Sequence, residues 1–138
     1  MKNLLPTDWQ QPNLDGIDTQ GKWLIPPIVD LCARLREPGH QSHGTLASEG
    51  RAARANGILH VVLPPDTDPI LQNGSLLKGL REKALHDGGV HLHILGALTN
   101  DLGGEQPANL AGLKQGGAIA VTNAGRGFAN DLVMLRCL

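Results

Sequence analysis

Residues 58–95 read ILHVVLPPDTDPILQNGSLLKGLREKALHDGGVHLHIL, and the order of patterns within this stretch decides the fold class. ILHVVL (58–63) and VHLHIL (90–95) are short apolar runs with β-branched residues, the signature of buried strands. Between them Asn73 can cap a helix carrying Leu76, Leu77, Leu80, Ala84 and Leu85, and Gly88-Gly89 can end it. Strand, helix and strand at a repeat of roughly 30 residues make a unit whose two strands run parallel.

The same alternation extends in both directions. LIPPIVDL (24–31) and AIAVT (118–122) are the other two strand-like runs. An Ala-rich segment from Thr45 to Asn56 has helical composition and stops at Gly57, which accepts a positive φ. A short third helix from about Pro107 to Gln115 puts Leu110 and Leu113 on one face. Asn130 can cap a fourth, with Leu132, Val133, Leu135, Arg136 and Leu138 following. The order β-α-β-α-β-α-β-α predicts a parallel α/β arrangement. Two architectures satisfy it: an open doubly wound sheet, or half of an eight-stranded barrel. Periodicity alone does not choose. Residues 1–22, with Pro6, Pro12 and Gly16, read as an irregular lead-in.

Composition narrows the function classes. With 138 residues, a formal net charge of −1 and 41% hydrophobic residues, the chain reads as a soluble globular protein of about one domain. Twelve basic against 13 acidic residues give no basic field for nucleic acid. No apolar run approaches the roughly 20 residues that span a bilayer, and MKNLLPTDWQQP lacks a signal-peptide core, so a cytoplasmic location without a membrane partner is expected. Cys32 and Cys137 are then two reduced thiols. Aromatic residues are only Trp9, Trp23 and Phe128, which argues against stacking platforms for bases or sugars.

In both architectures chemistry gathers in the loops after the strands. Those loops read CARLREPGHQSHG, PPDTDP, GALTNDLGGEQ and NAGRGFAN. DLCARLREPG, an Ala-rich helix, VVLPPDTDP, GALT and AIAVTNAGRG, in that order from about Trp23 onward, resemble the dihydroorotase family of the amidohydrolase superfamily. The resemblance implies a partial (β/α)₈ TIM barrel: its first four βα units over residues 23–138, with residues 1–22 as a remnant of the family's small β domain.

It also implies a damaged metal site. Active members open strand one with Asp-x-His-x-His-Leu-Arg, and alternate strand residues let both histidines reach one zinc ion. Here the segment is Asp30-Leu31-Cys32-Ala33-Arg34-Leu35-Arg36. Cys32 can bind zinc as a thiolate, whereas the guanidinium of Arg34 has no free lone pair and repels a cation. Arg34 is expected instead to act as a built-in charge, paired with Asp30 or Asp66, or to be merely tolerated in a vacated cavity. At the end of strand four the similar dihydroorotases read Ser-Asp-Asp-Gly and supply a bridging carboxylate; this chain has Thr122-Asn123-Ala124-Gly125. The family's later ligands would fall beyond Leu138. The degenerate metal positions are thus Cys32, Arg34, Asn123 and Ala124, no catalytic residue is assigned, and no zinc cofactor is expected. On the substrate side Arg36 matches the arginine that grips the substrate carboxylate, a task for a planar fork. Asp66 stands where the family has an asparagine.

His91 and His93 share one face of strand three, a fair metal signal in isolation, but the plainer reading is two histidines satisfied by barrel or loop hydrogen bonds. His60 and His86 read as ordinary partly exposed residues, and His40 and His43 as loop residues. Gly125-Arg126-Gly127 lacks the Lys-Ser/Thr sequel of a phosphate loop, and no serine lies in an elbow motif. The expected function is a catalytically inactive, dihydroorotase-like structural partner of aspartate carbamoyltransferase in pyrimidine biosynthesis, like the noncatalytic subgroup that the motif Cys-Ala-Arg-Leu-Arg-Glu-Pro-Gly resembles. The alternative is a cyclic amidohydrolase with a non-standard site, Cys32 with His91 or His93. Half a barrel leaves two open edges, so self-association or pairing with the missing half is also expected.

Overall fold

The computed structural model describes residues 25–138. The expectations for residues 1–22 lie outside the described residues. Four strands, β1 (Ile28–Asp30), β2 (Ile58–Leu63), β3 (His91–Ala97) and β4 (Ala120–Thr122), alternate with α1 (Leu46–Ala55), α2 (Gly74–Lys83), α3 (Leu110–Gln115) and α4 (Asp131–Cys137). β1 is shorter than the apolar run around it because Pro26 and Pro27 have no N–H to give to a ladder.

Helix starts follow their caps. Thr45 accepts from the Ser48 N–H while Ser48 reaches back to the Thr45 N–H, a reciprocal capping box. The side chains of Asn73 and Asn130 accept from the N–H groups of Ser75 and Val133. α3 begins at Leu110, later than its composition suggests, because Asn109 is the cap and Pro107 pairs with Thr99 in an isolated bridge. α2 ends at Lys83, and the expected last turn, Ala84–Gly88, is a π-turn closed by Gly89 at φ 70°.

All strand pairs are parallel and their spatial order is β1-β2-β3-β4. A doubly wound sheet reverses direction at a switch point; here every crossover steps the same way. Right-handed connections then place every helix on one face. One core joins Leu46, Leu77, Ala84 and Leu113 of the helical layer to Val61, Leu63, Leu92 and Ile94 of the sheet. The result is a curled half-barrel, the first four βα units of a (β/α)₈ barrel. Strand alternation turns His60, Val62, His91 and His93 to the opposite, helix-free face.

The edges carry uncovered apolar surface. Ile28 is 51% and Val29 49% exposed on β1, while Ile119 beside β4 is 57% exposed. Leu132 and Leu135 of α4 are exposed too. Among the described residues β1 and β4 each pair on one side only.

Candidate functional site

The loop after β1 keeps the two-residue alternation of a strand. Ala33 and Leu35 enter the core, so Cys32, Arg34 and Arg36 turn the other way and are exposed. Asp30 Oδ1 accepts from the Cys32 N–H at 2.9 Å, a local turn. Of the two acids expected to pair with Arg34, the structure selects Asp66: Arg34 Nε donates to Asp66 Oδ2 at 3.0 Å. Arg34 Nη1 lies 3.5 Å from Cys32 Sγ. The hydrogen bond that it donates to Asp66, the negative charge of that carboxylate, and the neighbouring Cys32 all hold the guanidinium more firmly protonated than usual. Asp66 Oδ1 is buried without a hydrogen-bond partner.

Arg36 is not brought to Asp66. It is exposed, adopts a left-handed backbone at φ 64°, and its side chain has no partner among the described residues. Its carbonyl accepts from the His40 N–H. The loops after β1 and β2 are joined behind it, because Gly39 packs where a Cβ would lie 2.5 Å from Asp68 Cβ. Glu37 Oε2 accepts from the Leu46 N–H at 2.8 Å and so ties the first loop to the start of α1.

Asn123 is buried at the end of β4 and is used by the fold as an amide. Its Oδ1 accepts from the Thr99 hydroxyl at 2.6 Å, and its Nδ2 donates to the carbonyls of Arg126 and Gly127 at 3.1 and 3.2 Å. Carbonyls only accept, so this orientation is forced. Thr99 Oγ1 in turn accepts from the Gly104 N–H at 2.9 Å. Gly104, at φ +75°, leaves no room for a side chain: a Cβ would sit 2.3 Å from Gly127 O. Ala124 is left-handed at φ 52°. The loops after β3 and β4 are therefore locked together. Gln72 extends the lock to the loop after β2 through two hydrogen bonds with Asp101, at 2.9 and 2.7 Å.

These residues do not fit a zinc ion. The guanidinium of Arg34 stands between the Cys32 thiol and the Asp66 carboxylate, and Asn123 presents its amide to protein partners rather than to a cation. Among the described residues no group of three His, Cys, Asp or Glu side chains stands ready to hold a metal ion. His91 and His93 do share a face, as their spacing predicts. His60 is partly exposed, as expected, and the structure adds that it stands beside them. Its Nδ1 lies 3.0 Å from His93 Nε2, and its ring stacks on His91 with centroids 4.9 Å apart. Register opposite His91 puts it there, which one-strand patterns do not reveal. Thr99 and Gly104 also escaped the sequence reading, since nothing local marks a threonine as an interloop donor.

Fold and loops together define a parallel βα half-barrel whose functional rim is closed by an ion pair and an amide network. No family model matches the chain. It is 38% identical over 128 residues to a dihydroorotase-like protein of Pseudomonas aeruginosa, covering 93% of this chain and 30% of that protein. It is 35% identical over 134 residues to a dihydroorotase of Syntrophobacter fumaroxidans, covering 97% of this chain and 30% of that protein. A dihydroorotase of Desulforapulum autotrophicum is 34% identical over 128 residues, with 93% and 30% covered. The chain is therefore dihydroorotase-like, and it spans about 30% of the length of these curated relatives. No helix among the described residues is long and apolar enough to cross a membrane.

Proposed function

We propose that this chain is a catalytically silent, dihydroorotase-like protein of pyrimidine biosynthesis that acts as a structural partner of aspartate carbamoyltransferase. The observation that carries the reading is the Arg34 guanidinium, 3.0 Å from Asp66 and 3.5 Å from Cys32, where active relatives need ligands for a cation. A fixed positive charge there neutralises the carboxylate through its Oδ2 without a metal, although Oδ1 stays unpaired, and supplies no activated water. The substrate anchor is weak as well: the Arg36 side chain makes no hydrogen bond or ion pair with a described residue, and an acid at position 66 repels an anionic ligand.

Loss of chemistry leaves the surface. The exposed apolar residues of β1, β4 and α4 form edges that a partner would cover. Sedimentation of the full chain with and without aspartate carbamoyltransferase, run beside a dihydroorotate hydrolysis assay with added zinc, tests both halves of the proposal. A complex without turnover is expected. Turnover abolished by Cys32→Ala would overturn the silent site, and a compact monomer indifferent to aspartate carbamoyltransferase would overturn the partnership.

A further inference from the structure

Among the described residues, four exposed large hydrophobics lie in or beside β1 and six in or beside β4 and α4, whereas only Leu76 and Leu85 lie elsewhere. The middle of the half-barrel thus covers its apolar surface and the two ends do not. The ends differ in shape. Between β1 and α1 runs a groove of about 360 Å³ with Ala33, Leu35, Ala53, Ile58 and Val61 in its wall. The fourth unit offers a helix instead: α4 buries only Val133 and leaves Leu132, Met134 and Leu135 exposed.

The backbone edges match as well. β1 and β4 each contribute three residues to the sheet and each keep one open side. All pairs are parallel, so the open side of β4 set against the open side of a second β1 continues the same ladder in the same direction. Four strands that step one way through a curled sheet are half of the eight that close a barrel. A half-turn about the barrel axis therefore carries the β4 edge of each copy onto the β1 edge of the other. Each helix of a βα unit covers the junction with the following strand, so the same rotation lays α4 over the new junction, beside α1 of the other copy. The face enclosed by closure carries Val29, Val62, Leu95, Ala120 and Thr122 with the three imidazoles, and no strand residue on it bears a permanent charge that burial would leave unpaired. The 24 residues before Ile25 are fewer than one unit of roughly 30 residues, so this chain does not itself hold four more units to set against its edges.

We propose that two copies of this chain close into one eight-stranded barrel, with β4 and α4 of each copy docked on β1 and the α1 groove of the other. The contact is head-to-tail, made twice, and the half-turn closes it. The pair takes the edges for itself, and aspartate carbamoyltransferase would then meet its outer helices or rim loops.

Sedimentation velocity of the full chain alone, over a range of concentrations, tests the closure. One species of twice the chain mass is expected, with nothing larger. Val29→Lys puts an ammonium on the enclosed face at one edge, and Leu135→Lys puts one on the docking helix at the other; both side chains are about half exposed or more in the single chain, so the fold should persist by far-UV circular dichroism. Each variant by itself should sediment as a monomer, because the closed pair uses both edges of both copies, while Leu76→Lys on α2 should stay paired. Ile28→Lys and Leu132→Lys, also exposed, repeat the test at each edge if a first variant loses its fold. A pair joined symmetrically through one edge would break with only one of the two variants, and that result overturns the closed barrel. A monomeric parent overturns it too, whether or not aspartate carbamoyltransferase binds that monomer, and so does a ladder of larger species, the product of head-to-tail contacts that fail to close. A pair that ignores aspartate carbamoyltransferase overturns the partnership and leaves the barrel standing.

Discussion

Restoring a carboxylate at the end of β4 by Asn123→Asp should destabilise the protein rather than rebuild a metal site. The Thr99 hydroxyl would still donate to one oxygen, and that bond would strengthen with the charge. The other oxygen would face the carbonyls of Arg126 and Gly127, which now receive hydrogen bonds at 3.1 and 3.2 Å. Two net bonds at about 1 kcal/mol each are lost, and the desolvation of the unpaired carboxylate oxygen at this buried position adds about 1–3 kcal/mol. After the gain at Thr99 the expected loss is about 2–4 kcal/mol, a large share of the roughly 5–15 kcal/mol of a typical domain. Urea denaturation followed by far-UV circular dichroism measures it. The penalty falls on the ionised form, so the introduced acid titrates above its unfolded value. The defect is then full above that raised pKa and shrinks as pH falls through it. Ala124→Asp is the control: the residue is left-handed and only half-buried, and aspartate tolerates that backbone, so a change within about 0.5 kcal/mol is expected. Equal effects of the two variants, or a loss below about 0.5 kcal/mol for Asn123→Asp, would refute the amide network as the reason for asparagine.

Gly104→Ala should cost about 2 kcal/mol or more in thermal unfolding, because the new Cβ meets Gly127 O at 2.3 Å on a left-handed backbone. Gly125→Ala, at φ +79° with nothing within 4 Å, should lose only the roughly 1–2 kcal/mol of backbone strain; equal losses would show that the contact is immaterial. Burial, and then the neighbouring His60, His91 and Arg81, hold the His93 imidazole below the ordinary histidine range, so the unfolded chain binds more protons in the window just beneath that range. Stability should therefore fall as pH drops from about 6.5, and His93→Gln should flatten that slope in denaturation curves taken across the window. An unchanged slope would assign the titration to other groups.

Much of this protein is legible in its sequence because the forces concerned act within one turn or between alternate residues. Thr45, Asn73 and Asn130 cap the helices that they precede, since the N–H groups they satisfy lie two or three residues away. The alternation around Cys32, Arg34 and Arg36 places all three on one side, and guanidinium chemistry alone makes Arg34 unfit as a ligand. Other features required the tertiary structure. Periodicity allows both an open sheet and a barrel, and only the order β1-β2-β3-β4, set by the direction of each crossover, decides between them. Arg34 pairs with Asp66 because Asp30 faces its own loop and caps Cys32. Asn123 proves to be a part the fold employs, and His60 joins His91 and His93, because strand register and interloop contacts bring together residues 24 to 33 positions apart. Sequence determined what each side chain can do; packing determined which neighbours it does it with, since long-range register follows from the burial of the whole sheet face and not from any segment of it.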